Sequence, residues 1–297
     1  MSILAVIVTY FPSIRLFDNI NDLSCQVDHI LVVDNNSGSS CRLIFEKLRD
    51  NIDITVIYLK ENLGIASALN IGVRYAIDHK YQWVLTLDQD SRVSPGMIFM
   101  MFDAYEECDK KNIVAILSPR YKDQYTGLVW GNNVTSIKND PLPFTPVQCC
   151  ITSGSLLKTS VLSKIGFFDE SYFIDYVDIE FCLRCSNFGF IILQINQAIL
   201  LHSIGNFKIN KMMWMRPIST NHSPVRRYYF VRNAIFTYRK FLFTHTKWVL
   251  NNFCVLIKTI VVIVIFEDRV FDKIRAISFG FIDGLFKKTG KCMRNIK

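Results

Sequence analysis

Acidic residues nearly vanish from the last third of this chain. Residues 207–297 carry 18 Lys and Arg against 4 Asp and Glu, a net +14, whereas residues 1–206 carry 16 against 22, a net −6. A nucleic-acid binder with basic charge throughout is excluded. A mildly acidic body whose C-terminal part faces an anionic surface, such as a membrane leaflet, is expected. Metal-spaced cysteines are also missing. Among the nine, Cys149 and Cys150 are adjacent and Cys182 and Cys185 are separated by two residues, but no second ligand pair joins them, so buried or free thiols are expected. The odd cysteine count, with no basic n-region or cleavage site ahead of the first apolar run, points to a reducing compartment. No apolar run reaches the roughly 20 residues of a bilayer span. Residues 253–266 are apolar except for Lys258, and extension back to Trp248 takes in Asn251 and Asn252. An in-plane or buried hydrophobic helix is expected there, or a dimer contact, rather than a spanning one. A Gly-rich basic phosphate loop is absent after the first strand, where Val8-Thr9-Tyr10-Phe11-Pro12 stands, which argues against a nucleotidyltransferase.

What is present is an alternation of short apolar runs and helical segments. Strands are expected over residues 3–10, 29–33, 54–59 and 83–87, with helices over 14–25, 40–50 and 65–79 between them. That order predicts an α/β fold with a doubly wound, mostly parallel sheet, whose ligands gather at the carboxyl ends of the strands. Polar clusters fall at four such ends: Thr9-Tyr10, Asp34-Asn35-Asn36, Asn62-Leu63-Gly64 and Asp88-Gln89-Asp90. Further on, a helix over 95–110, a strand over 113–119, a loop or irregular hairpin over 121–146, a helix over 158–165 and a strand over 191–201 are expected. Two regions follow: a catalytic domain over 1–206 and a helical C-terminal region over 207–297. In the latter, Arg226, Asn233 and Lys240, and likewise Arg232 and Arg239, recur every seven residues as a basic helical stripe.

Two acidic clusters carry the chemistry. Asp88 and Asp90 are hard oxygen ligands two residues apart at a strand end, where both point the same way, and suit Mg²⁺ or Mn²⁺ with substrate phosphates. The stretch 174–184 holds Asp175, Asp178 and Glu180. On a helix, Asp175 and Asp178 share a face, and Glu180 and Arg184 form an i,i+4 pair. Crowded carboxylates need cations, hydrogen bonds or raised pKa values, which makes the stretch a candidate for general-base work. An ordinary helix start with a surface salt bridge is the bland alternative.

Together these pieces resemble glycosyltransferase family 2, and within it the bacterial rhamnosyltransferases of O-antigen and related cell-surface polysaccharide assembly. The resemblance rests on Val8-Thr9-Tyr10, Val33 to Ser37, Asn62 to Ala66 with Asn70, Leu87 to Ser91, Ser153-Gly154-Ser155, Phe173 to Glu180, and His202 to Gly205. Ser223 to Tyr229 with Arg232-Asn233 also fits the narrower group. It implies a glycosyltransferase A fold and a dTDP-L-rhamnose donor. The acceptor would be a lipid-diphosphate-linked glycan, and the enzyme would sit peripherally on the cytoplasmic face of the inner membrane. Asp178 is the expected base with Asp175 as the other candidate, because Val177 stands where many members carry Glu. Asp90 is the expected metal ligand, with Asp88 on metal or ribose and His202 on metal or diphosphate. Thr9, Tyr10, Asp34, Asn36, Asn62, Gly64, Asn70, Gln89, Ser153, Gly154 and Glu180 are the expected nucleotide and substrate contacts. Arg226 and Arg227 are candidates for a diphosphate. A UDP-dependent hexosyl- or galactofuranosyltransferase and a non-catalytic membrane-surface module are the rival readings.

Overall fold

The computed structural model describes residues 1–123, 127, 129–130, 142–202, 208–209 and 218–296. The chain forms two compact units. One comprises Met1–Asp169 with Phe181–Ser203, the other Glu170–Glu180 with Ile204–Lys297.

In the first unit the strands and helices run β1 (Ile3–Thr9), α1 (Leu16–Ser24), β2 (His29–Asp34), α2 (Arg42–Asn51), β3 (Ile54–Tyr58), α3 (Ile65–Asp78), β4 (Trp83–Asp88), β5 (Arg92–Val93), α4 (Met97–Glu106), β6 (Val114–Asp123), β7 (Val129–Trp130), β8 (Phe144–Val147), β9 (Ser155–Lys158) and α5 (Thr159–Ile165). After α6 (Val177–Asn187), β10 (Ile191–His202) completes the sheet. Its order is β3-β2-β1-β4-β9-β6-β10-β5, with β7 on β6 and β8 on β10. The β3-β2-β1-β4 half is parallel. Beyond it, β9 runs antiparallel between β4 and β6, so the sheet is mixed.

The strands bury both faces. Ile3, Ala5 and Ile7 pack in one cluster with Leu16 and Ile20 of α1, Phe45 and Leu48 of α2 and Met97 and Met101 of α4. Val6, of opposite parity, lies under α3, where a Cβ on Gly72 would come within 2.3 Å of its side chain. That double coverage explains why β1 reads as an unbroken apolar run. It also aligns the strand ends: Thr9 pairs in register with Asp34, and Val8 with Asp88. The expected irregular stretch 121–146 contains the edge strands β7 and β8, while residues 124–126, 128 and 131–141 lie outside the described residues.

The second unit holds the short antiparallel pair β11 (Lys208–Ile209) and β12 (Ile218–Ser219) and three helices, α7 (Pro224–Phe241), α8 (Thr246–Phe266) and α9 (Val270–Leu285). Ser223 caps α7 by accepting the Arg226 amide, and Pro224 occupies the first turn. α9 packs on α7 through Ala276, Gly280 and Gly284, all buried. The closeness is extreme at Gly280, where a Cβ would stand 2.4 Å from the Tyr228 carbonyl oxygen. Arg227 and Lys273 converge on the buried Glu267. The C-terminal segment is tied back by Arg294, whose Nε and Nη2 both reach Asp283 at 2.6 Å.

Two expectations for this region need correction. The basic stripe on α7 is interrupted by burial: Arg232 and Asn233 are fully buried, leaving Arg226, Arg239 and Lys240 exposed, and Arg227 beside them is nearly buried. The apolar helix α8 has 21 residues rather than 14, because Asn251 and Asn252 are accommodated within it. Nor is it a buried helix: only Val249, Leu256 and Ile263, spaced by sevens, are buried.

Candidate active site

The carboxyl ends of β1, β2 and β4 in the first unit form a hydrogen-bonded rim. Asp34, 3% exposed, accepts from Thr9 Oγ1 at 2.9 Å and from the Ser37 amide at 3.0 Å, and the Ser37 hydroxyl also donates to it. Ser37 in turn accepts the Phe11 amide at 2.8 Å. Asn35, not Asn36, carries the link to the loop after β3. Its Nδ2 donates to the Gly64 carbonyl and its Oδ1 accepts the Leu63 amide, while Asn36 is exposed with φ of 67°. Asn62 accepts the Gly64 amide at 2.9 Å, closing the turn into α3, where Gly64 itself takes φ of 87°. Asn70 lies deeper, 1% exposed, exchanging both amide bonds with the Phe168 backbone.

Gln89 is turned away from its acidic neighbours. It accepts the Tyr10 amide at 2.8 Å and donates to the Tyr10 carbonyl at 3.2 Å, clamping the ends of β1 and β4 together. Tyr10 leaves its ring half exposed. Asp88 and Asp90, on the other side of the alternation, converge with His202 at the end of β10: one ligand atom from each lies within 4.8 Å of the others. A hydrogen-bond chain supports this group. The Asp88 amide donates to Ser153 Oγ, Ser153 donates to Ser91 Oγ, and Ser91 meets His202 Nδ1 at 2.7 Å. With Nδ1 engaged, Nε2 is the ring nitrogen left for a cation, the arrangement by which outer partners orient a ligating imidazole. Gly154 has φ of 80°, and a Cβ there would meet Pro119 and Leu200 at about 3 Å, so the turn that carries Ser153 requires glycine. Two carboxylates and one imidazole form a donor set suited to Mg²⁺ or Mn²⁺ that leaves room for phosphate oxygens.

The second acidic cluster belongs to the other unit and differs from its sequence reading. Asp175 and Tyr176 take left-handed φ values of 64° and 65°, and α6 begins only at Val177. Asp175 and Asp178 therefore do not share a helix face. Asp178 sits in the first turn with Oδ1 accepting the Ile179 amide at 2.8 Å. Glu180 is fully buried, not a surface residue, and accepts from Lys240 Nζ at 2.7 Å. Arg184 donates to the carbonyls of Ile165 and Phe167. Asp175 Oδ1 accepts from Arg226 Nε at 3.2 Å, while its Oδ2 is buried without a hydrogen-bond partner among the described residues. Burial pushes the Asp175 carboxyl above its usual range, and the Arg226 guanidinium offsets part of that rise. Arg227, expected beside a diphosphate, is instead committed to Glu267 and to Thr220 Oγ1 at 2.9 Å. Burial and the Arg226 and Arg227 charges depress His222 to about 4. Ser203, Ile204 and Gly205 lie outside the described residues.

Asn35, Ser37 and Ser91 fall within stretches that carry the family resemblance, yet nothing in the sequence names their hydrogen-bond partners. Only the folded register brings Ser91 to His202, 111 positions away.

Comparison with known proteins places this geometry. The model of the family described as Glycosyl transferase family 2 matches residues 11–166. The dTDP-rhamnosyl transferase RfbF of Shigella flexneri is 34% identical over 244 residues, 80% of each chain. The low-salt glycan biosynthesis hexosyltransferase Agl10 of Haloferax volcanii is 24% identical over 97% of this chain and 92% of its own. The galactofuranosyltransferase GlfT1 of Mycobacterium tuberculosis is 24% identical over 78% and 80%. Among solved structures, GalNAc-T7 with UDP, GalNAc and Mn²⁺ aligns at a TM-score of 0.58 and 12% identity, over 84% of this chain and about half (49%) of that one. S. aureus TarS 1-349 in complex with UDP-GlcNAc aligns at 0.54 and 16%, over 97% and 74%. These structures share the fold, the glycosyltransferase A arrangement of a mixed sheet between helices. With the matched region covering just over half of the sequence, and a relative 34% identical along four-fifths of it, the chain belongs to glycosyl transferase family 2.

Proposed function

We propose that this glycosyltransferase moves L-rhamnose from dTDP-L-rhamnose, with inversion, onto a lipid-diphosphate-linked glycan of bacterial O-antigen or related polysaccharide. The observation that carries the reading is the convergence of Asp88, Asp90 and His202 at one strand end, in a chain 34% identical to a dTDP-rhamnosyl transferase. A divalent cation held by these three groups would supply charge neutralisation for the departing diphosphate. Thr9, Asp34 and the Asn62–Gly64 turn shape the rim that receives the nucleoside, and Tyr10 offers an exposed ring beside it. Asp178 takes the proton of the acceptor hydroxyl as that oxygen attacks the anomeric carbon. Asp175, desolvated and paired with Arg226, is the alternative carboxylate for that step. Of the two arginines, Arg226 is the one exposed to meet a diphosphate.

The acceptor implies a membrane, and the second unit supports a peripheral place on the cytoplasmic leaflet. α8 exposes Leu250, Phe253, Val255, Ile257, Val261 and Ile265, and α9 exposes Phe271 and Phe281, within a region of net +14. An apolar helical surface flanked by Lys and Arg is what an anionic leaflet binds.

The test is transfer from dTDP-L-rhamnose to lipid-linked glycan in isolated membranes, read by mass. Asp178→Asn is expected to lower kcat by about 10²–10⁴, the usual value of a general base. Asp90→Asn is expected to remove the metal requirement together with the activity. Transfer from a UDP-sugar in preference to the dTDP donor would favour the reading suggested by the GlfT1 similarity, and a wild-type rate for Asp178→Asn would remove that residue from the mechanism.

A further inference from the structure

The carboxylate segment of the second unit is held by an unusual device on α7. Arg232 is fully buried. Its cation is met by carbonyls and rings. Nη1 donates to the Gly290 carbonyl at 2.6 Å and Nη2 to the Ser171 carbonyl at 3.3 Å, while the rings of Tyr228, Tyr229 and Phe236 lie 5.5, 4.8 and 5.4 Å from its guanidinium carbon. Its Nε donates to Asn233 Oδ1 at 2.9 Å. That bond fixes which way the Asn233 amide faces. Its Nδ2 then donates to two successive carbonyls, Ile174 at 2.7 Å and Asp175 at 2.9 Å. Asn233, too, is fully buried.

Those carbonyls flank the start of the left-handed pair Asp175-Tyr176. A non-glycine residue in that conformation is strained, because Cβ crowds the following carbonyl, and such strain persists only where the surroundings enforce it. The turn sets where Asp175 points and where α6, with Asp178 in its first turn, begins. We infer that Asn233, aimed by Arg232, is a positioning residue that enforces the Asp175-Tyr176 turn and so holds the carboxylates that serve sugar transfer. The inference rests on the transferase reading for its kinetic consequence but not for its structural one.

Asn233→Asp tests it in the full chain. The substitution keeps the acceptor for Arg232 Nε and removes both donors. Tyr228→Phe serves as the control, since it deletes a different buried bond of α7, the 3.0 Å contact to Asp283, and keeps the ring beside Arg232. Amide hydrogen exchange is followed for residues 171–180 alongside kcat, KM and Tm. Asn233→Asp is expected to speed exchange in 174–180 and to lower kcat by about 10²-fold, the cost of a reacting group misplaced by about 1 Å, with donor KM little changed. Tyr228→Phe is expected to lower Tm while leaving both exchange and kcat near wild type. Should the buried carboxylate prevent folding, Asn233→Ala is read in the same way. Wild-type exchange in the 174–180 segment of the Asn233 variant, or kcat losses that track Tm equally in both variants, would overturn the proposal. A wild-type chain that transfers no sugar would overturn the transferase reading instead and leave exchange to decide the role of Asn233.

Discussion

Asp34 and Asp175 are both acids in turns, yet their surroundings divide them. Asp34 has Thr9 and Ser37 on its oxygens and is satisfied within the fold. Asp175 keeps one oxygen buried with no hydrogen-bond partner among the described residues, and burial raises its pKa despite Arg226. A carboxyl whose folded pKa lies above its ordinary 3.8 favours the folded state most below that value, and the advantage is lost as pH rises through the folded pKa. Ionising the buried Asp175 therefore costs stability. Asp175→Asn keeps a residue tolerant of left-handed backbone and removes the charge. It is expected to raise Tm at pH 7, with the gain shrinking as pH falls below the folded pKa. Thermal melts across that range check it, and a loss of Tm at pH 7 would contradict it. The residues bearing acid chemistry were legible in the sequence because paired carboxylates near apolar strands are rare. Their supporters, Ser91, Ser153, Asn35 and Arg232, were legible as residues but not as partners, since each acts across 29 or more positions of chain.

The elements were easiest to foresee where one physical cause dominates. β1, β2 and β4 are covered on both faces and read as apolar runs, and their ends were expected within one residue. α6 was not placed correctly, because nothing local announces two left-handed residues without glycine. The correct start depends on Asn233 in another helix. α8 outruns the apolar stretch 253–266 because Asn251 and Asn252, costly in lipid, are accommodated in it: Asn252 Nδ2 donates to the Trp248 carbonyl within the helix. The α7–α9 pairing rests on small residues four apart, Ala276, Gly280 and Gly284, which let backbones approach. Gly280→Ala would drive a Cβ against the Tyr228 carbonyl, a backbone atom that cannot rotate away. The expected loss is about 1–3 kcal/mol, the usual range for overpacking, less the small gain of alanine over glycine in a helix. Urea unfolding with unchanged m-value measures it, and an equal or higher midpoint would show that the helices separate freely.

At the scale of the whole chain, charge and apolar exposure are distributed together. The net −6 portion supplies the strand ends that carry Thr9, Asp34 and Asp88, and the net +14 portion supplies α8 and α9. Flotation with vesicles rich in anionic phospholipid is expected to carry the protein, and replacing Phe243, Phe271 and Phe286, exposed at 92%, 90% and 74%, by serine is expected to reduce it. Binding that depends on salt alone and ignores these aromatics would assign the contact to charge rather than to insertion. Dimerisation through α8 in place of vesicle binding would contradict the membrane reading. The central claim, a metal-assisted dTDP-sugar site built by Asp88, Asp90 and His202, is tested most directly by nucleotide-dependent thermal stability with and without Mn²⁺. A nucleotide at 100 times its Kd adds about 2.7 kcal/mol. The account predicts a stabilisation by dTDP that exceeds that by UDP, needs Mn²⁺ and disappears in Asp90→Asn. A shift with UDP alone, or one indifferent to both metal and Asp90, would contradict it.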